Sequence, residues 1–118
     1  MKEENVIKAK SMDFAVRIVK LYRHLCESKK EFVLSRQILR SGTSIGANVN
    51  EAIFGQSKGD FISKLQISLK EASETAYWLE LLYKTEYLTK SEYMSIHEDC
   101  GEITKILISI IKSSKENC

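Results

Sequence analysis

The side chains best suited to chemistry lie between residues 37 and 51, where five polar residues recur at intervals of three and four: Gln37, Arg40, Ser44, Asn48 and Glu51. That spacing places all of them on one face of a helix. An acidic pair, Glu71 and Glu74, begins 20 residues after Glu51. Carboxylates brought together in this way could bind a metal or transfer protons, and beside a guanidinium they could form ion pairs.

Two interpretations of this polar face stay open. In the structural one, Arg40 pairs with Glu51 or with a carboxylate of the next helix, and Ser44 and Asn48 hydrogen-bond across the helix contact. In the functional one, the face lines a cleft. Small residues interleave with the polar ones and favour close helix packing, so we predict a structural polar network of Gln37, Arg40, Ser44, Asn48, Glu51, Glu71 and Glu74. It could lie within one chain or between chains.

The sequence contains no recognisable catalytic motif. A di-iron bundle needs Glu-x-x-His pairs, but Leu21 and Met94 stand three residues before His24 and His97. There is also no glycine-rich phosphate loop, no GxSxG and no HExxH. We therefore expect no enzyme activity, no metal and no cofactor. A small hydrolase or metal enzyme built on the glutamates is the weakest alternative.

Four amphipathic patterns must position these side chains. Apolar residues recur at three- and four-residue intervals, and no strand-like alternation competes with them. They predict an all-α, antiparallel, up-down-up-down four-helix bundle with helices over about 11–28, 35–54, 58–85 and 90–113. Ser11 and Ser35 are the expected caps of the first two helices, and Thr89 with Glu92 has capping-box spacing. Residues 1–10 are expected to form a flexible arm preceding a bundle domain over 11–118.

From the composition we expect a globular protein of a reducing compartment with no membrane helix. Hydrophobic residues make up 43% of the 118 residues and charged residues 29%, a globular balance. No apolar stretch approaches the roughly 18 residues that a membrane helix requires, and residues 1–11 contain no apolar run of the kind expected in a signal peptide. The three cysteines form no metal-binding or disulfide pattern, so Cys26 and Cys100 are expected in the core and the protein in the cytoplasm.

Two longer segments resemble a known family. RQILRSGTSIGANVNEA at 36–52 and KGDFISKLQISLKEASETAYWLELL at 58–82 resemble the four-helix-bundle proteins encoded by intervening sequences in bacterial 23S ribosomal RNA genes. That family includes the accessory variability determinant of diversity-generating retroelements. Asn50-Glu51-Ala52 departs from the usual Ala-Glu-Gly. The resemblance implies a bundle, often a ring-like homopentamer, without enzyme activity. For the retroelement relative it implies binding of a reverse transcriptase and of nucleic acid.

The distribution of charge extends this interpretation. Residues 1–70 carry 13 Lys/Arg against 7 Asp/Glu, whereas residues 71–118 carry 5 against 9. Together with the resemblance, the basic first part predicts an RNA or DNA accessory protein with candidate phosphate contacts at Arg17, Lys20, Arg23, Arg36, Lys58 and Lys64. The alternative is a scaffold that docks a partner such as a reverse transcriptase without touching nucleic acid.

Apolar residues beyond the needs of one bundle core predict self-association. The fourth helix carries extra isoleucines, and aromatic residues outside the four stripes add to them: Ile106, Ile108, Ile111, Phe32, Phe54, Tyr77 and Tyr87. A helix that is apolar over much of its circumference usually packs on two sides. We therefore expect a homo-oligomer, with a pentamer favoured by the resemblance.

Overall fold

A computed structural model of the chain describes residues 2–117 and confirms the all-α bundle. Helix α1 spans Lys2–Glu27, α2 Leu34–Ile53, α3 Lys58–Lys84 and α4 Lys90–Glu116, with no strand among the described residues. Each helix packs against its sequence neighbours, and α1 also packs against α4. The result is an up-down-up-down bundle 47 Å long and about 20 Å across, as its 47 × 22 × 19 Å extents show.

The core is a continuous column of aliphatic side chains contributed by all four helices. Ile18, Ile45, Leu79 and Leu107 are fully buried within it, one from each helix. These residues belong to the three-and-four-residue stripes of the sequence, so the periodicity and the packing agree. None of the helices in the described part of the chain is long and apolar enough to cross a membrane.

The first helix begins nine residues earlier than expected, so the flexible arm over residues 1–10 is wrong for residues 2–10. These residues are helical, and Ile7 is buried in the core. Ser11 does not cap the helix. It is buried inside α1, where its hydroxyl donates to the carbonyl of Lys8 at 3.2 Å. A small residue fits there because α2 approaches closely: a β-carbon on Gly46 would stand 3.3 Å from the Ser11 carbonyl oxygen. Met1 and Cys118, which lay in the predicted arm and bundle, fall outside the described residues.

Helix α2 begins within one residue of its expected start, but its cap is not the expected one. Ser35 is buried and lies 3.7 Å from the sulfur of Cys26, so it is not the cap. The Glu31 carboxylate caps the helix instead, accepting from the backbone N–H groups of Val33, Leu34 and Ser35 at 3.3, 3.1 and 2.7 Å. Negative charge at a helix N-terminus satisfies free N–H groups and favours the helix dipole.

Side-chain caps begin the last two helices, and the cap of α4 is the capping box that its sequence predicts. The Ser57 hydroxyl accepts from the backbone N–H of Asp60 at 3.1 Å. Thr89 and Glu92 form the full capping box, each side chain accepting from the other's backbone N–H. These bonds fix the start of α3 and α4, and the Thr89 backbone N–H lowers the pKa of Glu92.

Candidate functional site

The polar face of α2 meets α3 through a guanidinium held between two carboxylates. Arg40 Nη1 donates to Glu71 Oε2 at 2.9 Å, and Nη2 donates to Glu74 Oε2. The same Glu74 oxygen accepts from the indole N–H of Trp78 at 3.1 Å. This cluster, Arg40–Glu71–Glu74–Trp78, lies at the bundle surface, since half of the Arg40 side chain is exposed.

The electrostatics of this cluster favour charged, paired groups. The Trp78 N–H and the Arg40 guanidinium lower the pKa of Glu74. The hydrogen bond between Arg40 and Glu74 in turn raises the pKa of Arg40. A general acid or base at neutral pH needs the opposite, a carboxylate whose pKa is raised. The cluster is therefore suited to joining two helices.

The remaining residues of the predicted network behave differently from one another. Ser44 and Asn48 do not bond across the helix contact, and this expectation is wrong. Their side chains donate to carbonyls of their own helix, Arg40 and Ser44 respectively, at 2.6 and 2.8 Å. Glu51 pairs with Lys64 on α3 at 3.3 Å, and Gln37 is exposed at the surface.

Apart from those of Arg40, the hydrogen bonds that cross the α2–α3 contact come from buried hydroxyls. Thr75 Oγ1 donates to Ser41 Oγ at 2.9 Å, and Ser68 Oγ donates to the Ile45 carbonyl at 2.8 Å. All three side chains are inaccessible to water. The sequence feature that could have revealed these bonds is the position of the three residues within the apolar stripes. A hydroxyl buried there needs a hydrogen-bond partner.

Neither the histidines nor the cysteines assemble a reactive centre in the part of the chain described. His97 is exposed beside Tyr93, with ring centroids 5.0 Å apart. Cys100 is buried, its sulfur 3.4 Å from the Ala72 carbonyl, and burial raises the pKa of its thiol to about 11. Within residues 2–117, no three His, Cys, Asp or Glu side chains are placed to hold a metal ion.

Three of the six candidate phosphate contacts are already engaged inside the chain. Arg17 donates to Asp99 at 2.7 Å and to Ser95 at 2.6 Å on α4. Lys64 pairs with Glu51, and Lys58 donates to the Asn117 carbonyl at 2.8 Å. These bonds join helices and leave the three cations less available to an external phosphate.

The other three candidates form a free cationic surface, which we call the basic end: Lys20, Arg23 and Arg36. All are exposed, and none has an ion-pair or hydrogen-bond partner within residues 2–117. Lys20 and Arg23 are one helical turn apart on α1. Arg36 lies in the first turn of α2, beside the end of α1, as the contact between Cys26 and Ser35 shows.

Known proteins of similar sequence and structure identify the family of this chain. The family model of the 23S rRNA-intervening sequence protein matches residues 3–109. The chain belongs to this family. A crystal structure of a protein of unknown function from the S23 ribosomal protein family of Bacteroides thetaiotaomicron is 64% identical, with a TM-score of 0.92. The similarity covers 93% of this chain and 98% of that one. A comparison with curated proteins finds no match.

Proposed function

We propose that this member of the 23S rRNA-intervening sequence protein family is a non-enzymatic, homo-oligomeric accessory protein that binds RNA or DNA. The observation that carries the proposal is the basic end, where three exposed cations have no carboxylate partner among the described residues. Phosphate backbones bind such cations and release condensed counterions.

Self-association supports this function because it repeats the basic end. A single patch of three cations binds phosphate weakly, whereas several linked patches raise the effective concentration of each. Exposed apolar side chains on α1, just after α2 and on α4 supply surface for such an assembly, among them Met12, Phe54 and Ile108. A ring-like pentamer is the expected state.

Ion pairing of the glutamates is the reason for proposing a function without acid–base chemistry. Glu71 and Glu74 share the Arg40 guanidinium, and Glu51 has Lys64. A role in substrate turnover would require carboxylates free of these cations. The cluster instead supports a structural role, in which it holds α2 against α3.

The test is titration of a labelled single-stranded RNA and a DNA duplex across a range of salt concentrations. We expect affinity to fall steeply with salt for the wild-type chain. Replacing Lys20, Arg23 and Arg36 by alanine should reduce the slope of log K against log salt, by about 0.7–0.9 for each phosphate that the variant no longer neutralises. The matched control replaces Lys105, Lys112 and Lys115 on α4 by alanine. It removes the same charge and should bind almost as wild type.

Two results would contradict the proposal. One is no binding of either probe at low salt by a confirmed oligomer, which would favour a scaffold for a protein partner. The other is equal weakening by the two triple variants, which would show that net charge acts without a defined surface.

A further inference from the structure

The turn between α1 and α2 carries an exposed phenylalanine, Phe32, whose side chain is 50% accessible. Two other Phe or Tyr side chains in the described part of the chain are at least as exposed, and each has a partner. Lys8 Nζ lies 5.5 Å from the centroid of the Phe54 ring, and Tyr77 packs edge-on against Trp78 at 5.2 Å. Phe32 makes no such contact with a cation or a ring of the described residues.

The backbone holds Phe32 in place from both sides. The Glu31 N–H donates to the Leu25 carbonyl at 2.9 Å and closes the turn around Lys30, whose φ of 54° is left-handed. The Glu31 carboxylate then accepts from the three backbone N–H groups that follow Phe32. The ring is therefore presented to solvent by an ordered turn, and a ligand that binds it need not order a loop.

Cations surround this turn and extend the basic end. Residues 20–36 contain five Lys or Arg against two Glu. The five cations are exposed and have no ion-pair or hydrogen-bond partner within the described residues: Lys20, Arg23, Lys29, Lys30 and Arg36. Of the two glutamates, Glu31 is buried with its carboxylate in the cap, which leaves Glu27 as the exposed acid.

The turn between α3 and α4 lies at the same end of the up-down-up-down bundle and does not reverse this charge. It adds the exposed cations Lys84 and Lys90 against the exposed Glu86. Lys29 interacts electrostatically with Glu92 of α4, but that carboxylate is held in the capping box. The end of the bundle therefore combines an excess of cations with an aromatic ring.

This combination of groups distinguishes single strands from duplexes. Cations alone attract the phosphates of both. An exposed ring offers a flat face on which an unpaired base can stack, whereas the base faces of a duplex are covered by their neighbours. Stacking on an aromatic residue beside cations tolerates any base, because every base has such a face.

We propose that Phe32 stacks against an unpaired base of single-stranded RNA or DNA, while Lys29, Lys30 and Arg36 bind the phosphates on either side. This inference rests on the proposed function and names its ligand class and its contact with a base. It also removes Phe32 from the apolar residues expected to serve self-association.

The first test compares a labelled single-stranded adenine oligonucleotide with an abasic strand of the same length. The two strands carry equal charge, and only one has bases. Wild type should bind the adenine strand about fivefold more tightly or better, the effect of one stacked base. Phe32→Ala should bind both strands alike. Its dependence on salt should equal that of wild type, because no charge is removed.

Variants at the same position separate stacking from simple apolar contact. Phe32→Leu keeps an apolar side chain without a flat face and should lose the preference for the adenine strand, whereas Phe32→Trp should keep it. The matched control is Phe54→Ala, at the opposite end of the bundle, which should bind as wild type. Helical content and the mass by light scattering should be unchanged in all four, since neither phenylalanine belongs to the core.

Fluorescence of Phe32→Trp gives a direct signature of the contact. The adenine strand should quench the introduced indole, and the abasic strand should not. Wild type, whose single tryptophan is Trp78 on α3, should show no quenching by either strand.

The possible failures of this inference and of the proposed function differ. Equal binding of the two strands by wild type, an unchanged preference in Phe32→Ala, or normal binding by Phe32→Leu overturns the stacking contact and leaves nucleic-acid binding intact. Dissociation of the oligomer by Phe32→Ala also overturns it, because the ring would then be a subunit contact. Failure of wild type to bind either strand at low salt overturns both.

Discussion

Gly42 lies against the buried side chain of Ile18, where a β-carbon on the glycine would stand 2.7 Å from Ile18 Cγ1. One helical turn further along α2, a β-carbon on Gly46 would stand 3.3 Å from the carbonyl oxygen of Ser11. These two glycines set the separation of α1 and α2. The cost of glycine within a helix is offset by the closer packing it permits.

Gly42→Ala should therefore destabilise the bundle, although alanine is the better helix former. Ile18 is fully buried and has no room to move, so the added methyl should cost about 1–3 kcal/mol of unfolding free energy. Chemical denaturation followed by circular dichroism measures this. Gly59→Ala is the control, since its nearest neighbour would be 3.9 Å away, and it should gain up to about 1 kcal/mol. Equal stability of the two variants would contradict the close-packing explanation.

The Glu31 cap yields a second prediction. Its carboxylate accepts three backbone N–H groups and is largely buried, so Glu31→Ala leaves those donors without a partner. We expect a loss of about 1–3 kcal/mol in urea unfolding. Glu27→Ala, an exposed change at the end of α1, should stay within about 0.5 kcal/mol of wild type. A Glu31→Ala chain as stable as the control would show that water can replace the carboxylate.

The sequence was sufficient for the four helices but gave the wrong caps for the first two, and the reason is tertiary. Ser11 and Ser35 match the preference for serine at helix caps, yet both are small residues required by helix contact. A single sequence does not distinguish these demands, because packing overrides local preference. Thr89 and Glu92 were identified correctly because the capping box is local.

The candidate site shows the same limit. The sequence predicted that Arg40 on α2 pairs with a carboxylate of α3, and Arg40 does bond to both Glu71 and Glu74. Helical periodicity gives the face on which a residue lies but not the rotation of one helix against the next. The sequence therefore predicted that Ser44 and Asn48 bond across the contact, whereas both bond within α2. The bonds across the contact come from Ser68 and Thr75 on α3.

Burial of Cys100 predicts a thiol that resists modification in the folded state. Its pKa is raised to about 11, so little thiolate forms even at pH 9, and the core restricts access to the sulfur. In a chain with Cys26→Ala and Cys118→Ala, Ellman's reagent should react at least tenfold more slowly at pH 8 than after unfolding in guanidinium. Rapid labelling of the folded chain would indicate that α3 and α4 separate readily at Ala72.

The Glu74 carboxylate predicts a dependence of stability on pH. The indole N–H of Trp78 and the Arg40 guanidinium lower its pKa in the folded chain, so folding favours the ionised form. The resulting stability is fully present above the unfolded pKa, near 4.3 for a glutamate. It is lost as pH falls through the lower folded pKa. Since Arg40 and Glu74 are both partly exposed, the contribution should stay below about 1 kcal/mol.

Glu74→Gln, compared with wild type by urea unfolding at several pH values, isolates this effect. Wild type should be the more stable at pH 7, and the difference should shrink as pH falls from 5 towards 3, because protonation of Glu74 removes the charge that glutamine lacks. Fluorescence of Trp78, the single tryptophan of the chain, should change over the same range in wild type only. A stability difference that stays constant with pH would show that the amide's shape matters and that the ionisation of Glu74 does not.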